Sequence, residues 1–100
     1  MKLSEYQTAA SATMNVALSR EGQMMDAASG IAEEAGEVLA HVRKHQFQGR
    51  ELDAARLKEE LGDVLWCVAA VATSAGFDLD DVARFNLEKL RLRHANVVAP

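Results

Sequence analysis

The only proline in this sequence is its last residue, Pro100. The chain before it therefore lacks the residue that most sharply interrupts helices, by removing a backbone donor and clashing with the preceding turn. No segment sustains the apolar–polar alternation of a strand, whereas apolar residues return at three- and four-residue intervals over long stretches. The expected fold class is all-α. Hydrophobic residues make up 49% of the chain but aromatic residues only 5%. The core must then be built from small side chains, alanine above all, which let helix axes approach closely.

Local signals divide the chain into four helices. Ser4 followed by Gln7 reads as a capping box for a first helix over about residues 5–19, with a polar break at Arg20-Glu21-Gly22. A second helix is expected over 24–47, stopping near Gly49. Asp53 is the expected N-cap of a third helix that runs to Ala75, with Gly76 as its left-handed C-cap. Asp78 and Asp81 form the next cap pair, and the fourth helix runs to about His94, where Arg91, Arg93 and His94 suit the negative end of its dipole. Residues 96–100 are expected to fray. The turns are short and no linker intervenes, so residues 1–100 read as one four-helix domain. A chain this short leaves roughly a third or more of its surface exposed after folding, so a partner subunit is expected to complete it.

Eleven Lys and Arg against fifteen Asp and Glu give a net charge of −4, which argues against a protein that tracks a nucleic-acid polymer. The lone Cys67 has no partner for an intramolecular disulfide and suits a reducing compartment. The apolar run over 64–77 is too short to span a bilayer and contains Thr73 and Ser74, and the N-terminus shows no signal pattern. A cytoplasmic protein without membrane association is expected.

The feature closest to chemistry is an internal duplication. Glu33-Glu34-Ala35-Gly36-Glu37-Val38-Leu39 recurs as Glu59-Glu60-Leu61-Gly62-Asp63-Val64-Leu65. At about 100° per residue, Ile31, Ala35, Val38 and Val42 form an apolar stripe on the second helix. Leu57, Leu61, Val64 and Val68 form its equivalent on the third. Glu34 and Glu37 flank the first stripe, and Glu60 and Asp63 flank the second on the same side. Antiparallel packing is expected to gather these four carboxylates. Glutamates on helices commonly do no more than solvate a face; it is their duplication at matching stripe positions that argues for a site. Gly36 and Gly62 add to this, because glycine inside a helix costs roughly 1 kcal/mol against alanine and suggests a close approach to the backbone.

Four carboxylates beside an apolar seam repel one another, and burial drives some to protonate unless a cation neutralises them. An all-oxygen donor set selects hard divalent ions, Mg²⁺ or Mn²⁺, which take further oxygens from phosphates. His41, four residues after Glu37, falls on the same side. The di-iron carboxylate bundles also place acids inside four helices, but they use Glu-x-x-His from two of them. Positions 37 and 63 are Glu and Asp here, so that signature is missing. There is no P-loop, dinucleotide fingerprint or Cys/His zinc pattern.

In its acidic motifs the sequence resembles the MazG-like family of all-α nucleoside triphosphate pyrophosphohydrolases, whose hallmark is Glu-Glu-x-x-Glu followed by Glu-x-x-Asp. The hallmark stands here as Glu33-Glu34-Ala-Gly-Glu37 and Glu60-Leu-Gly-Asp63. The resemblance runs from Leu3-Ser4-Glu5-Tyr6-Gln7, through Gly62-Asp63-Val64-Leu65-Trp66, to Asn86-Leu-Glu-Lys89-Leu-Arg-Leu-Arg93. It implies that Glu34, Glu37, Glu60 and Asp63 bind Mg²⁺, with Mn²⁺ able to substitute. Glu33 would serve a second ion or position the attacking water, and water would attack the α-phosphorus of a nucleoside triphosphate. It further implies a phosphate clamp of Asn86, Lys89 and Arg93, with Lys44 as a candidate from the second helix, and assembly as a homodimer or a dimer of dimers. Trp66, opposite the apolar stripe, is expected to face another subunit or a nucleobase. Cys67 stands where related sequences often carry tyrosine. The competing reading is a non-enzymatic helical dimerisation module whose acids only solvate it.

Overall fold

In the computed structural model the backbone is described for residues 1–98 and the side chains for residues 1–95. The expected all-α class holds: α1 (Leu3–Ser11), α2 (Arg20–Phe47), α3 (Ala54–Ala75) and α4 (Leu79–Val98) carry the chain, with no strand among the described residues. Several boundaries differ from the sequence expectation, each for a local reason. α1 stops at Ser11 rather than near residue 19. Beyond it the Thr13 hydroxyl donates to the Ala10 carbonyl and Asn15 Oδ1 accepts from the Ala17 amide, so short polar side chains take over backbone groups that a continuing helix needs. The next helix begins early, at Arg20, because Ser19 caps it by accepting from the Gly22 amide at 3.0 Å. The expected break at Arg20-Glu21-Gly22 is thus the first turn of α2.

Asp53 and Gly76 behave as expected. Asp53 Oδ1 accepts from the Arg56 amide at 3.1 Å, and Gly76 takes φ +79°, a left-handed conformation that closes α3. Of the pair at the start of α4, Asp78 does the capping, accepting from the Asp80 amide at 2.9 Å, while Asp81 lies within the first turn and pairs with Arg84. α4 passes His94 and continues to Val98, so the helix persists into the segment expected to fray; Ala99 and Pro100 lie outside the described residues. Arg91, expected to answer the helix dipole, pairs with Glu88 one turn back. No single helix among the described residues is long and apolar enough to cross a membrane.

The expected capping box at Ser4 and Gln7 does not form. Lys2 precedes the helix, and its amide donates to Glu5 Oε1. Gln7 has a longer-range role. Its Nε2 donates to Thr73 Oγ1 at 3.1 Å and to the Phe77 carbonyl at 2.8 Å, and its Oε1 accepts from the Leu79 amide at 2.8 Å. One amide side chain therefore joins α1 to the end of α3 and the start of α4.

α2 and α3 pack in opposite chain directions, as the contacts Arg20–Ser74, Gly30–Cys67 and His41–Glu60 show. α1 lies across α3 and reaches α4, and α4 makes no contact with α2 among the described residues. The core is small-residue, as the composition requires. Ala10, Ala69, Ala72 and Leu79 form one cluster, and Met14, Ala27 and Ala70 form another. Trp66 touches both clusters, and its Nε1 donates to Thr13 Oγ1 at 2.8 Å. This corrects the expectation that Trp66 faces a subunit or a base: its ring is the bridge between α3 and the end of α1.

The apolar stripes are also rotated from their expected place. The buried and half-buried positions between α2 and α3 are Gly30, Ile31, Glu34, Val38 and His41 against Leu57, Glu60, Val64 and Cys67. Ala35, Leu39 (58% exposed), Leu61 (52%) and Leu65 (39%) face outward. A radius of gyration of 16.5 Å exceeds the ~13 Å of a compact chain of this length. The four helices do not close a bundle within one chain.

Gly36 and Gly62, expected to mark a close approach, have nothing within 4 Å of where a Cβ would stand. Gly30 is the position under that constraint, since a Cβ there would lie 2.7 Å from Cys67 Sγ. Gly30→Ala is expected to destabilise the fold by about 1–3 kcal/mol through overpacking, with most of the loss recovered in the Gly30→Ala/Cys67→Ala double variant. Gly36→Ala is expected to be neutral or stabilising by up to ~1 kcal/mol through helix propensity. Urea denaturation of the three variants checks this.

Candidate functional site

The duplicated motif places its acids along one side of the α2–α3 pair. Glu60 is buried, Glu34 is half-buried, and Glu33, Glu37 and Asp63 are exposed. Helical spacing explains the difference. Glu34 and Glu60 fall on the contact faces of their helices, and the other three lie one position or one turn away, towards solvent. The acids share a neighbourhood closely enough to perturb one another. Burial, followed by the charges of Asp63, Glu33, Glu37 and Glu60, raises the Glu34 carboxyl above its ordinary value. The same field reaches groups without a carboxylate. The Cys67 thiol is pushed up by burial first, then by Glu34 and Asp63. The Tyr6 hydroxyl, reaching in from α1, is pushed up by burial, then by Cys67 and Asp63.

At Glu60 the burial is most severe. Its side chain is 10% exposed, and His41, also 10% exposed, brings Nδ1 to 2.9 Å from Glu60 Oε1. The approach is close but not aligned as a hydrogen bond, so Oε1 is a buried carboxylate oxygen without a hydrogen-bond donor. An oxygen in that condition costs free energy unless a donor or a cation satisfies it. The donor set around it is oxygen-rich and negatively charged, which fits a hard divalent cation. No three His, Cys, Asp or Glu side chains among the described residues yet converge as a ligand cage. The structure therefore brings Glu34, Glu37, Glu60 and Asp63 into one electrostatic environment without pre-assembling a chelate.

Next to the acids, at the end of the pair where α2 gives way to α3, an open cavity of about 380 Å³ is lined by Glu37, His41 and Glu60 together with Lys44, Arg50 and Arg56. Lys44 is the one clamp candidate from the sequence that lies beside the acids. Arg50 and Arg56 were not singled out. Their signal was position: they bracket the Asp53 cap, Arg50 on the connection after α2 and Arg56 in the first turn of α3, about one turn before Glu60. None of the three cations has a carboxylate partner among the described residues.

Asn86, Lys89 and Arg93 are not brought to the acids. All three are exposed on α4, where Lys89 and Arg93 line a shallow groove with Phe85, Glu88 and Leu92, and α4 does not touch α2. Within one chain, among the described residues, they form no clamp with the acids.

A family model described as the MazG nucleotide pyrophosphohydrolase domain matches residues 24–98, a span that holds both acidic motifs and α4. No curated protein and no solved structure matches the chain.

The environment of Cys67 has a direct chemical consequence. A buried thiol held protonated by burial and by nearby carboxylates is a poor nucleophile. Native protein at neutral pH is expected to react with an aromatic disulfide reagent at least about tenfold more slowly than the urea-unfolded chain, followed as thiolate release by absorbance.

Proposed function

The chain belongs to the MazG nucleotide pyrophosphohydrolase family, and from that premise we propose that it hydrolyses a nucleoside triphosphate to the monophosphate and pyrophosphate, with Mg²⁺ held by Glu34, Glu37, Glu60 and Asp63. The family acts on nucleoside triphosphates and is generally dependent on divalent metal. The observation that carries the metal assignment to these residues is the unsatisfied Glu60 oxygen beside a Glu34 carboxyl crowded by four other acids.

When bound, Mg²⁺, or Mn²⁺ in its place, polarises phosphoryl oxygens and makes a bound water more acidic. The chain's own residues do the rest. Glu33, on the solvent side of Glu34, orients the attacking water towards the α-phosphorus. Lys44 faces the negative charge of the outer phosphates from the cavity wall, with Arg50 and Arg56 beside it. Electrostatic stabilisation of the departing pyrophosphate follows from cations placed where charge develops. Asn86, Lys89 and Arg93 complete the clamp from α4 of a second copy. The outward-facing Leu39, Leu61 and Leu65 next to the acids supply an apolar surface for that association, as a dimer or a dimer of dimers in the cytoplasm.

Incubating the protein with a panel of nucleoside triphosphates and Mg²⁺, and resolving pyrophosphate from orthophosphate, tests the reaction. Monophosphate and pyrophosphate are expected, abolished in Asp63→Ala; orthophosphate would place cleavage at another bond. Magnesium with nucleotide at a hundred times Kd is expected to add about 2.7 kcal/mol of stability, read as a rise in Tm. Absence of both turnover and thermal shift would leave the non-enzymatic dimerisation module as the better account.

The division of the site between chains has its own test. Asp63→Ala and Lys89→Ala/Arg93→Ala are each expected to be inactive alone and to regain activity when mixed after subunit exchange. No recovery in verified mixed oligomers would mean that acids and clamp do not meet across chains.

A further inference from the structure

Among the described residues His41 makes the one polar side-chain contact to the buried Glu60, and neither the acidic hallmark nor the reaction requires it. It lies on α2 one turn beyond Glu37, its side chain is 90% buried, and its Nδ1 stands 2.9 Å from Glu60 Oε1 across the helix pair. A glutamate side chain has three rotatable bonds, and Glu60, on the contact face of α3, has no hydrogen-bond donor holding Oε1. Without a neighbour of fixed position its carboxylate would turn between the seam and the cavity beside it. Histidine has only two rotatable bonds, and burial between helices restricts both. We propose that His41 is a positioning residue for Glu60, its buried ring limiting rotation of the carboxylate and keeping it at the mouth of the cavity, where a divalent cation would meet it.

The inference rests on the reading of Glu60 as a metal ligand. Carboxylate ligands are themselves oriented by outer partners, and losing such a partner typically weakens metal affinity by about 10–100-fold. The cavity beside His41 is lined by other acidic and basic groups: Glu37 and Lys44 from α2, Arg56 and Glu60 from α3, and Arg50, Glu51 and Asp53 from the segment between the helices. Among the described residues only Glu60 brings a carboxylate oxygen within 4 Å of a ring nitrogen. The role is therefore specific to the nitrogen at the Nδ1 position rather than to positive charge in the cavity.

The experiment compares Mn²⁺ binding, by titration calorimetry and by the loss of the free-ion paramagnetic resonance signal, across four variants of the full chain. His41→Asn keeps a nitrogen near the place of Nδ1, and His41→Gln moves it to the place of Nε2. Glu60→Gln and Asp63→Asn report on the metal site itself. The expected result is binding within about threefold of wild type for the Asn variant and weakening of about tenfold or more for the Gln variant, with helical circular dichroism unchanged in both. The ¹⁵N resonance of His41 Nδ1 is expected to shift in Glu60→Gln. Equal affinity of the Asn and Gln variants, whether both native-like or both impaired, would overturn the positioning role while leaving the metal site in place. Wild-type Mn²⁺ affinity in both Glu60→Gln and Asp63→Asn would overturn the metal reading and the inference with it.

Discussion

The close approach of α2 to α3 is the constraint from which the other features follow. Gly30 has no Cβ, Cys67 Sγ occupies the space such an atom would take, and Ala27 lies one turn earlier on the same face. Helices that touch through residues this small stand near enough for whatever else lies on their contact faces to lose its water. On this pair Glu34 and Glu60 lie there. Burial, reinforced by neighbouring carboxylates, raises both the Glu34 carboxyl and the Cys67 thiol, and one Glu60 oxygen is left without a donor. An apolar seam would have been more stable in isolation, because buried charge is costly unless paired. The acids are tolerable in the folded chain because three of the five keep solvent contact and because the buried one has an imidazole beside it.

The remaining helices brace this pair unequally. α1 is fastened at its middle and just beyond its C-terminal end. Gln7 bonds to α3 and to the first amide of α4, and Thr13, just beyond α1, accepts from the Trp66 indole. α4 is fastened at its start by Gln7, Asp78 and the burial of Leu79, and among the described residues it makes no contact with α2. A single chain therefore holds the acids on one body and the C-terminal cations on another. Leu39, Leu61 and Leu65, which would ordinarily be covered, stay at the surface. In the proposed mechanism a second copy would supply the cations and cover the leucines together, making association and site assembly the same event.

Several sequence signals were legible because they act through nearest neighbours. Asp53 caps α3 through an amide three residues on, and Gly76 ends it by adopting a backbone angle open to glycine. The all-α class follows in the same way from the missing prolines and the apolar spacing. Misreadings arose where a local pattern had a distant competitor. Ser4 and Gln7 match a capping box, yet Gln7 meets three partners in α3, α4 and their junction, and a side chain cannot serve both. Gly36 and Gly62 carry the same helix cost as Gly30, but only Gly30 faces a side chain. Trp66, placed outside by a stripe that is itself rotated, is packed by Met14 and Ala10 from an element far away in sequence.

By itself the sequence determined the chemistry available: which residues are acidic, that they repeat at a helical interval on two helices, and that no zinc pattern, dinucleotide fingerprint or phosphate loop competes with them. That much depends on covalent order and on the fixed rotation per residue of a helix. Only the tertiary structure decided which of the acids lose water, that His41 meets Glu60, that Lys44 is joined by Arg50 and Arg56, and that Lys89 and Arg93 stand apart from the acids within one chain. Those outcomes depend on how far each helix rolls about its own axis and where α4 departs. A roll of a few tens of degrees leaves every sequence interval unchanged while exchanging a buried neighbour for an exposed one.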